Sequence, residues 1–406
     1  MKQLVMFPGK MDGVFFRNEI PYIAEQFDKI IIFTYPGNRR NLQKIARSFN
    51  LEYYIVPNFS VYALIKAIWQ MFTDPVVIKE KKKCRGKQFM YMMAYLLWEN
   101  TVEKVFEKKS NMENIDTFLY SFWLSRGAYT ICRFKEKYNN TIKTVSRAHG
   151  YDLYEERNPY RYLPFREYIA SKIDEIYFIS NDGRKYFENK YRNYNSKLCI
   201  SRLGTQEENY RKEIKEKTTV CIASCSHIIE VKRVDLIIDA LSELNCPFFW
   251  IHLGDGVLKG KMEKYANRKL AAGTYCFLGN VNNREIVHVY EKYDVDFLVN
   301  LSDSEGVPVS IMEAMSMGIP AIARDVGGNK EIVDTEHGLL LKRESYLGEL
   351  QKIVKKRFHE EEYRELSVRA YQIWEEQYHD KDNYMRFAKN LSSLTREWTE
   401  TKKENI

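Results

Sequence analysis

Two open parallel α/β domains are the fold this sequence predicts. Three observations lead there. The chain of 406 residues is long enough for two ordinary cores. Short β-branched or aromatic runs alternate with longer amphipathic ones, as in parallel sheets covered by helices. A polar, charged stretch, residues 204–218 (GTQEENYRKEIKEKT), interrupts this alternation near the middle.

In the first domain, residues 1–203, strands are expected near Leu4–Phe7, Lys29–Thr34, Tyr53–Val56, Thr117–Tyr120, Lys143–Ala148, Glu175–Ile179 and Leu198–Arg202. An aromatic-rich helix is expected from about Phe89 to Glu107. Residues 204–218 are expected to link it to the second domain, residues 219–378. There strands are expected near Val220–Ala223, Phe248–Leu253, Thr274–Leu278, Phe297–Asn300 and Ala321–Ala323. Val234, Ile237, Ile238 and Leu241 fall at i, i+3, i+4 and i+7, one face of a helix after the first of these. The chain is helical and charged from Ser345, and its tail, residues 379–406, is expected to pack back toward the first domain.

Composition narrows the class. With 45% hydrophobic and 29% charged residues, the chain is a folded protein rather than a disordered one. Basic residues exceed acidic ones, 63 to 55, which favours phosphates or an anionic surface without choosing between them. The run Lys79–Lys87 (KEKKKCRGK) suggests nucleic acid at first, but no nucleic-acid motif accompanies it, and a solvated loop is the plainer reading. Seven cysteines, Cys84, Cys132, Cys199, Cys221, Cys225, Cys246 and Cys276, form no zinc spacing and read as free thiols in a reducing compartment. The N-terminal MKQLVMFPGK reads as a first strand, not a signal peptide. The longest apolar run, Phe89–Trp98, is about half the length of a membrane span. A soluble, cytoplasmic chain is expected, with peripheral contact to the inner membrane face as an option.

In open parallel sheets, ligands bind beyond the carboxyl ends of the strands. After Phe297–Asn300 comes LSDSEGVPVSIMEAMSMGIPAIARDVGGNKEIVDTEHGLLL. It reads as a loop with Glu305 and Gly306, a helix from about Val309 to Met317, and a Gly327-Gly328 loop after the next strand. Pro308 suits the helix start, where no N–H is needed, and Gly318 ends the helix. Such a start aims unpaired N–H groups at a phosphate site. Glu305 and Glu313 flank it and could accept hydrogen bonds from sugar hydroxyls, or be ordinary solvated carboxylates.

This segment resembles the signature of family 4 glycosyltransferases of the GT-B fold. The resemblance is carried by Glu305, Glu313, Ala314, Gly318-Ile319-Pro320, Gly327-Gly328 and Glu331-Ile332-Val333. It continues upstream through Glu230–Leu241, His252–Gly256 and Cys276–Val281, and more loosely into the first domain. It implies two Rossmann-like domains facing each other across a cleft. It also implies a retaining transfer of a hexose-type sugar from a nucleoside-diphosphate donor, expected to be a UDP-sugar, in cell-surface polysaccharide synthesis. By the resemblance Glu313 binds the ribose, Glu305 the transferred sugar, and Lys232 the diphosphate. Gly306, Val307, Pro308 and Val309 would hold sugar and phosphate, Gly254 would lie on the donor side, and Leu278, Gly279, Asn280 and Val281 would face the base. His227 stands where the family often has Arg, and a neutral imidazole does not replace a permanent cation. Either another base serves, Arg233 being adjacent, or the phosphate is held less tightly.

On the first domain, His149 follows a strand, and the resemblance implies that it contacts the donor sugar; a structural loop histidine is the alternative. Gly9, Gly13, Tyr151 and Asp152 are expected near the acceptor. Asp294-Val295-Asp296 spells a triplet that binds divalent metal in transferases of another fold. It precedes its strand, at the end away from the ligand side, so no metal and no cofactor are expected. The acceptor is expected to be a saccharide, free or lipid-linked, such as an undecaprenyl-linked one. Lys79–Lys87 with FMYMMAYLLW could then lie on anionic lipid, though a core helix explains the latter stretch equally well. Two alternatives remain: a nucleotide-sugar 2-epimerase of the same fold, which needs no acceptor, and a non-catalytic nucleotide-sugar-binding subunit. A phosphorylase would call for a pyridoxal-binding lysine region, which the sequence lacks.

Overall fold

The computed structural model describes residues 2–11, 13–58, 60–109, 116–138, 142–191, 196–208, 210–334, 338–342 and 346–403. They divide into two compact units, Met1–Ser201 with Tyr384–Ile406, and Arg202–Asn383.

The first unit holds seven parallel strands: β1 (Lys2–Gly9), β2 (Lys29–Thr34), β3 (Glu52–Ile55), β4 (Asp116–Ser121), β5 (Lys143–Ala148), β6 (Glu175–Phe178) and β7 (Lys197–Ile200). Their order is β3-β2-β1-β4-β5-β6-β7. Ile30, Ile31, Ile32 and Phe33 of β2 are all buried, because helices cover both faces of the sheet. That is why such strands read as apolar runs rather than alternations. The chain reverses its direction of travel between β1 and β4, which opens a crevice at their carboxyl ends.

Of the stretch Phe89–Trp98, Met92, Met93, Tyr95, Leu96 and Trp98 are buried in one core layer of this unit. It lies in the helix Lys87–Lys109, and the core reading of the run holds. The run Lys79–Lys87 is not simply a loop: Lys79 and Lys81 end the helix Pro75–Lys81, and Lys87 begins the next. The opposite layer takes Phe387, Ala388 and Leu391 from the C-terminal helix Asp380–Lys403. Arg147 helps to seat that helix. It is fully buried, paired with Glu19, and its guanidinium lies 4.2 Å from the centre of the Phe387 ring.

The second unit holds six parallel strands: β8 (Val220–Cys225), β9 (Phe248–Leu253), β10 (Tyr275–Gly279), β11 (Phe297–Asn300), β12 (Ala321–Arg324) and β13 (Gly338–Leu341). Their order is β10-β9-β8-β11-β12-β13, so the reversal falls between β8 and β11. Strand β13 was not anticipated.

Unit boundaries fall at 201/202 and 383/384, whereas the sequence placed them at 203 and 378. Long-range pairing draws the flanking residues into the second unit. Thr205 bridges to His379, and Asn383 donates to the Leu203 carbonyl at 3.0 Å. The expected linker, residues 204–218, belongs to this unit as well. Within it Lys212 is buried and donates to Asp294 Oδ1 at 2.5 Å.

The Asp294-Val295-Asp296 triplet sits at the amino end of β11. Asp296 is fully buried, accepting from Arg357 Nε at 2.6 Å and from the Cys221 N–H at 2.8 Å, with Lys212 and Lys217 also paired to it. Its carboxylate is therefore committed to a structural charge cluster. The seven cysteines are all free thiols.

Candidate functional site

In the second unit, the loops after β8, β9, β10 and β11 carry the residues singled out from sequence. Lys232 ends a 3-10 turn, Glu230–Lys232, after β8. Glu305 lies in the loop after β11, at the far side of the strand reversal. The two meet there: Lys232 Nζ donates to Glu305 Oε1 at 2.7 Å. The same oxygen accepts from Asn300 Nδ2 at 3.1 Å, and Glu305 is 7% exposed. A buried carboxylate is thus held by a lysine and an amide, an arrangement in which neither partner is left uncompensated.

Behind Glu305 the backbone is tightly apposed. Gly328 N–H donates to the Glu305 carbonyl at 3.3 Å, and a Cβ on Gly328 would come within 1.7 Å of the Gly306 carbonyl oxygen. Only glycine fits there, so Gly327-Gly328 positions the Glu305-Gly306 loop. That loop leads through Val307 and Pro308 into the helix Val309–Ser316, with extended Pro308 as its N-cap. No side chain caps this helix, and its first N–H groups have no intrahelical partner.

Glu313 stands on this helix. Its carboxylate makes no hydrogen bond or ion pair among the described residues. Burial, and secondarily the neighbouring Glu208 carboxylate, push its pKa up to about 7. An acceptor group kept without partners in a half-buried place is what a hydroxyl-bearing ligand would find there.

The adjacent loops are shaped by close backbone approach. Gly254, after β9, has φ of 138°, and a Cβ there would lie 1.9 Å from the Ser226 carbonyl oxygen. Its N–H donates to the Gly279 carbonyl at 2.8 Å, which ties the β9 and β10 loops together. Leu278 and Val281 are half-buried and Asn280 exposed beside this junction. His252, in contrast, is a core group: its Nδ1 lies 2.8 Å from Ser224 Oγ, and burial lowers its pKa to about 4.

Arg233 does not stand in for the missing arginine. It adopts φ of 48° at the start of the helix Val234–Ser242, and its guanidinium is occupied by Asp235, at 2.9 Å, and Asp303, at 3.3 Å. Asp303 also pairs with Arg324. His227 is exposed, and its imidazole has no partner among the described residues.

In the first unit, His149 follows β5 and is 6% exposed. Its ring stacks on Phe122, centroids 4.9 Å apart, and leans on Trp123 at 4.4 Å. Its Nδ1 faces Asp152 Oδ2 at 3.6 Å, and its Nε2 has no hydrogen-bond partner among the described residues. Asp152 is fully engaged, accepting from the Leu124 N–H at 2.9 Å and the His149 N–H at 3.0 Å. Burial raises its pKa, but bonds from His149 and Leu124 outweigh that and hold it low. Asp152 therefore shapes the His149 loop, and the acceptor contact expected of it has no available carboxylate. Tyr151 is exposed instead. With Gly9, Gly13, Tyr35, Trp123 and Arg126 it lines a cavity of about 400 Å³ at the carboxyl ends of β1 and β4. Asp12, in the same loop, lies outside the described residues.

Sequence reasoning missed Asn300, Glu208 and Asp303. Asn300 carried a weak signal, a polar residue closing an apolar strand. Glu208 and Asp303 carried none, since their roles arise only from spatial neighbours.

Comparisons with known proteins bear on this arrangement. Residues 205–372 match the family model described as glycosyl transferases group 1. The O-antigen biosynthesis glycosyltransferase WbnH of Escherichia coli is 28% identical over 206 residues, which is 50% of this chain and 56% of that protein. The UDP-N-acetylglucosamine–peptide N-acetylglucosaminyltransferase GtfA subunit of Streptococcus agalactiae is 28% identical over 161 residues, 38% of this chain and 31% of that protein. This chain thus spans 56% and 31% of those two relatives. Among solved structures, Anabaena HepE in complex with UDP superposes with a TM-score of 0.70 at 13% identity, over 97% of this chain and 100% of that one. The likeness in fold extends through both units.

Proposed function

Because residues 205–372 belong to the group 1 glycosyl transferases, we propose that this chain transfers a hexose-type sugar from a UDP-sugar to a saccharide or lipid-linked saccharide in polysaccharide synthesis, acting from the cytoplasmic side. The observation that carries this reading is the pairing of Lys232 with Glu305 beside an uncapped helix start, with the unpartnered Glu313 on the same helix. The relatives lend support: the streptococcal subunit is named for a UDP-sugar donor, and Anabaena HepE binds UDP.

In this reading the diphosphate lies against the N–H groups of Val309 and its neighbours, within reach of Lys232. Glu313 accepts hydrogen bonds from the ribose hydroxyls and Glu305 from the sugar. The bond between the sugar's anomeric carbon and the phosphate oxygen breaks as the acceptor oxygen bonds to that carbon from the same face. The acceptor proton passes to the departing phosphate, so the anomeric configuration is retained.

Thermal denaturation with a panel of nucleotide sugars tests the donor. UDP-sugars should raise the melting temperature by mass action, about 2.7 kcal/mol at a hundredfold excess over Kd, and other nucleotides should not. NMR of the product anomer tests retention, and an inverted linkage would discard the same-face route. The proposal assigns charge neutralisation to Lys232 and the helix start, without a metal. Activity should therefore survive a chelator, and loss in EDTA with recovery in manganese would overturn that part.

A further inference from the structure

The helix Val61–Thr73 is packed with its small and polar residues inward. Ala63, Ala67 and Gln70 are buried, and the Gln70 side chain accepts from Asn100 Nδ2 at 2.8 Å. Its large apolar residues face solvent. Val61, Ile65, Trp69 and Phe72 are 62%, 64%, 63% and 72% exposed, with Tyr62 and Ile68 beside them at 45% and 44%. Spacings of i, i+4, i+8 and i+11 place the four most exposed on one stripe. Solitary exposed apolar residues need no explanation, but a contiguous patch of six marks an interaction surface.

Charge identifies what covers it. The helix contains no Asp or Glu. Lys104 lies over the Tyr62 ring at 5.0 Å, and Lys81 over the Phe72 ring at 4.9 Å. Lys82, Arg85 and Lys87 follow directly, exposed and without an ion pair among the described residues. Lys79 and Lys83, by contrast, are paired with Glu167. An apolar, aromatic stripe flanked by uncompensated cations is complementary to a surface that is greasy below and negative above.

We propose that this stripe docks on an anionic lipid bilayer. Trp69, Phe72, Ile65 and Val61 enter the headgroup–acyl boundary, and Lys81, Lys82, Arg85 and Lys87 lie among the headgroups. The helix lies in the surface and does not span it. No single described helix is long and apolar enough to cross a membrane; Val61–Thr73 reaches that length and composition only together with Pro75–Lys81, and the two are bent by 84°. A 13-residue helix alone reaches only about 20 Å against a hydrocarbon core of ~30 Å. This surface belongs to the first unit alone and does not depend on the donor reaction.

Co-sedimentation with vesicles, without donor or acceptor, tests it. Full-length protein should pellet with phosphatidylcholine vesicles containing 30% phosphatidylglycerol and much less with pure phosphatidylcholine. Trp69→Ser with Phe72→Ser should abolish pelleting, with melting temperature unchanged because both side chains are exposed. Lys82→Gln, Arg85→Gln and Lys87→Gln together should weaken binding to the anionic vesicles roughly a hundredfold at low salt. Wild-type protein that stays in solution with anionic vesicles would overturn the proposal, as would a double serine variant that pellets like wild type. If wild type ignores vesicles but forms a dimer that the serine variant dissociates, the stripe is an interface between copies of this chain, and lipid docking is refuted.

Discussion

Lys232→Ala is expected to lower kcat about a hundredfold or more. As a sugar departs from its diphosphate, negative charge grows on the leaving oxygens, and a preorganised donor aimed at it contributes roughly 2.7–4 kcal/mol. The start of a helix offers about 0.3–1 kcal/mol, rising to ~2 when partly buried. The lysine should therefore outweigh the helix. In the structure its ammonium is already placed, 2.7 Å from Glu305, so little reorganisation is needed on donor binding. Removing it also leaves the Glu305 carboxylate buried with Asn300 and without its cation. A loss of about 1–3 kcal/mol of stability should follow, visible as a lower melting temperature, so kcat is best measured well below it. Lys232→Arg keeps the charge in a different shape and should retain part of the rate. An alanine variant with unchanged kcat would remove Lys232 from the reaction.

Glu313→Gln should strengthen the fold at pH 8 while weakening the donor complex. Burial, then Glu208, hold the Glu313 pKa at about 7. Between its ordinary value near 4.5 and about 7, the folded protein keeps this proton and the unfolded chain does not. Folding takes up a proton there, so stability falls as pH rises through that window. Because Glu313 is in part exposed, the destabilisation above pH 7 should be only about 1–3 kcal/mol. Glutamine is uncharged and resembles the protonated acid, so variant and wild type should melt alike near pH 5 and diverge at pH 8. Donor binding should move the opposite way. A carboxylate accepts ribose hydroxyls more strongly than an amide, by about 1.5–3 kcal/mol for bonds to a charged group, which is roughly ten- to a hundredfold in Kd. Titration of UDP-sugar by calorimetry at both pH values checks this. An equal melting difference at pH 5 and pH 8 would show that the Glu313 carboxyl is not the burdened group. An unchanged Kd at pH 8 would place the donor elsewhere.

Much of the second unit was legible because its signals are local. Gly328 is required by a carbonyl oxygen 1.7 Å from where its Cβ would be, and Gly254 by its positive φ and the Ser226 carbonyl. Such requirements are met by one residue type at one place, so they leave a readable trace. The first unit was less legible. Asp152 looks like a loop carboxylate open to a ligand, yet both its oxygens hold backbone N–H groups. In the second unit, too, Arg233 looks like a spare cation beside Lys232, yet Asp303, which occupies it, lies 70 positions away.

The sequence by itself determined the alternation of strands and helices, the loops at the strands' carboxyl ends, and the residue types placed on them. Periodicity, caps and glycine requirements act over a few residues, and that range suffices. Only the tertiary structure decided who pairs with whom. Setting β8 beside β11 brings Lys232 to Glu305 across 73 positions, and the same choice commits Asp296 to Arg357 rather than to a ligand. It also turned the small face of Val61–Thr73 inward and left Trp69 and Phe72 outside, because Gln70 found its hydrogen bond on a helix 30 positions further on. Neighbours of this kind are set by the order of strands and the packing of helices, which no local window of sequence contains.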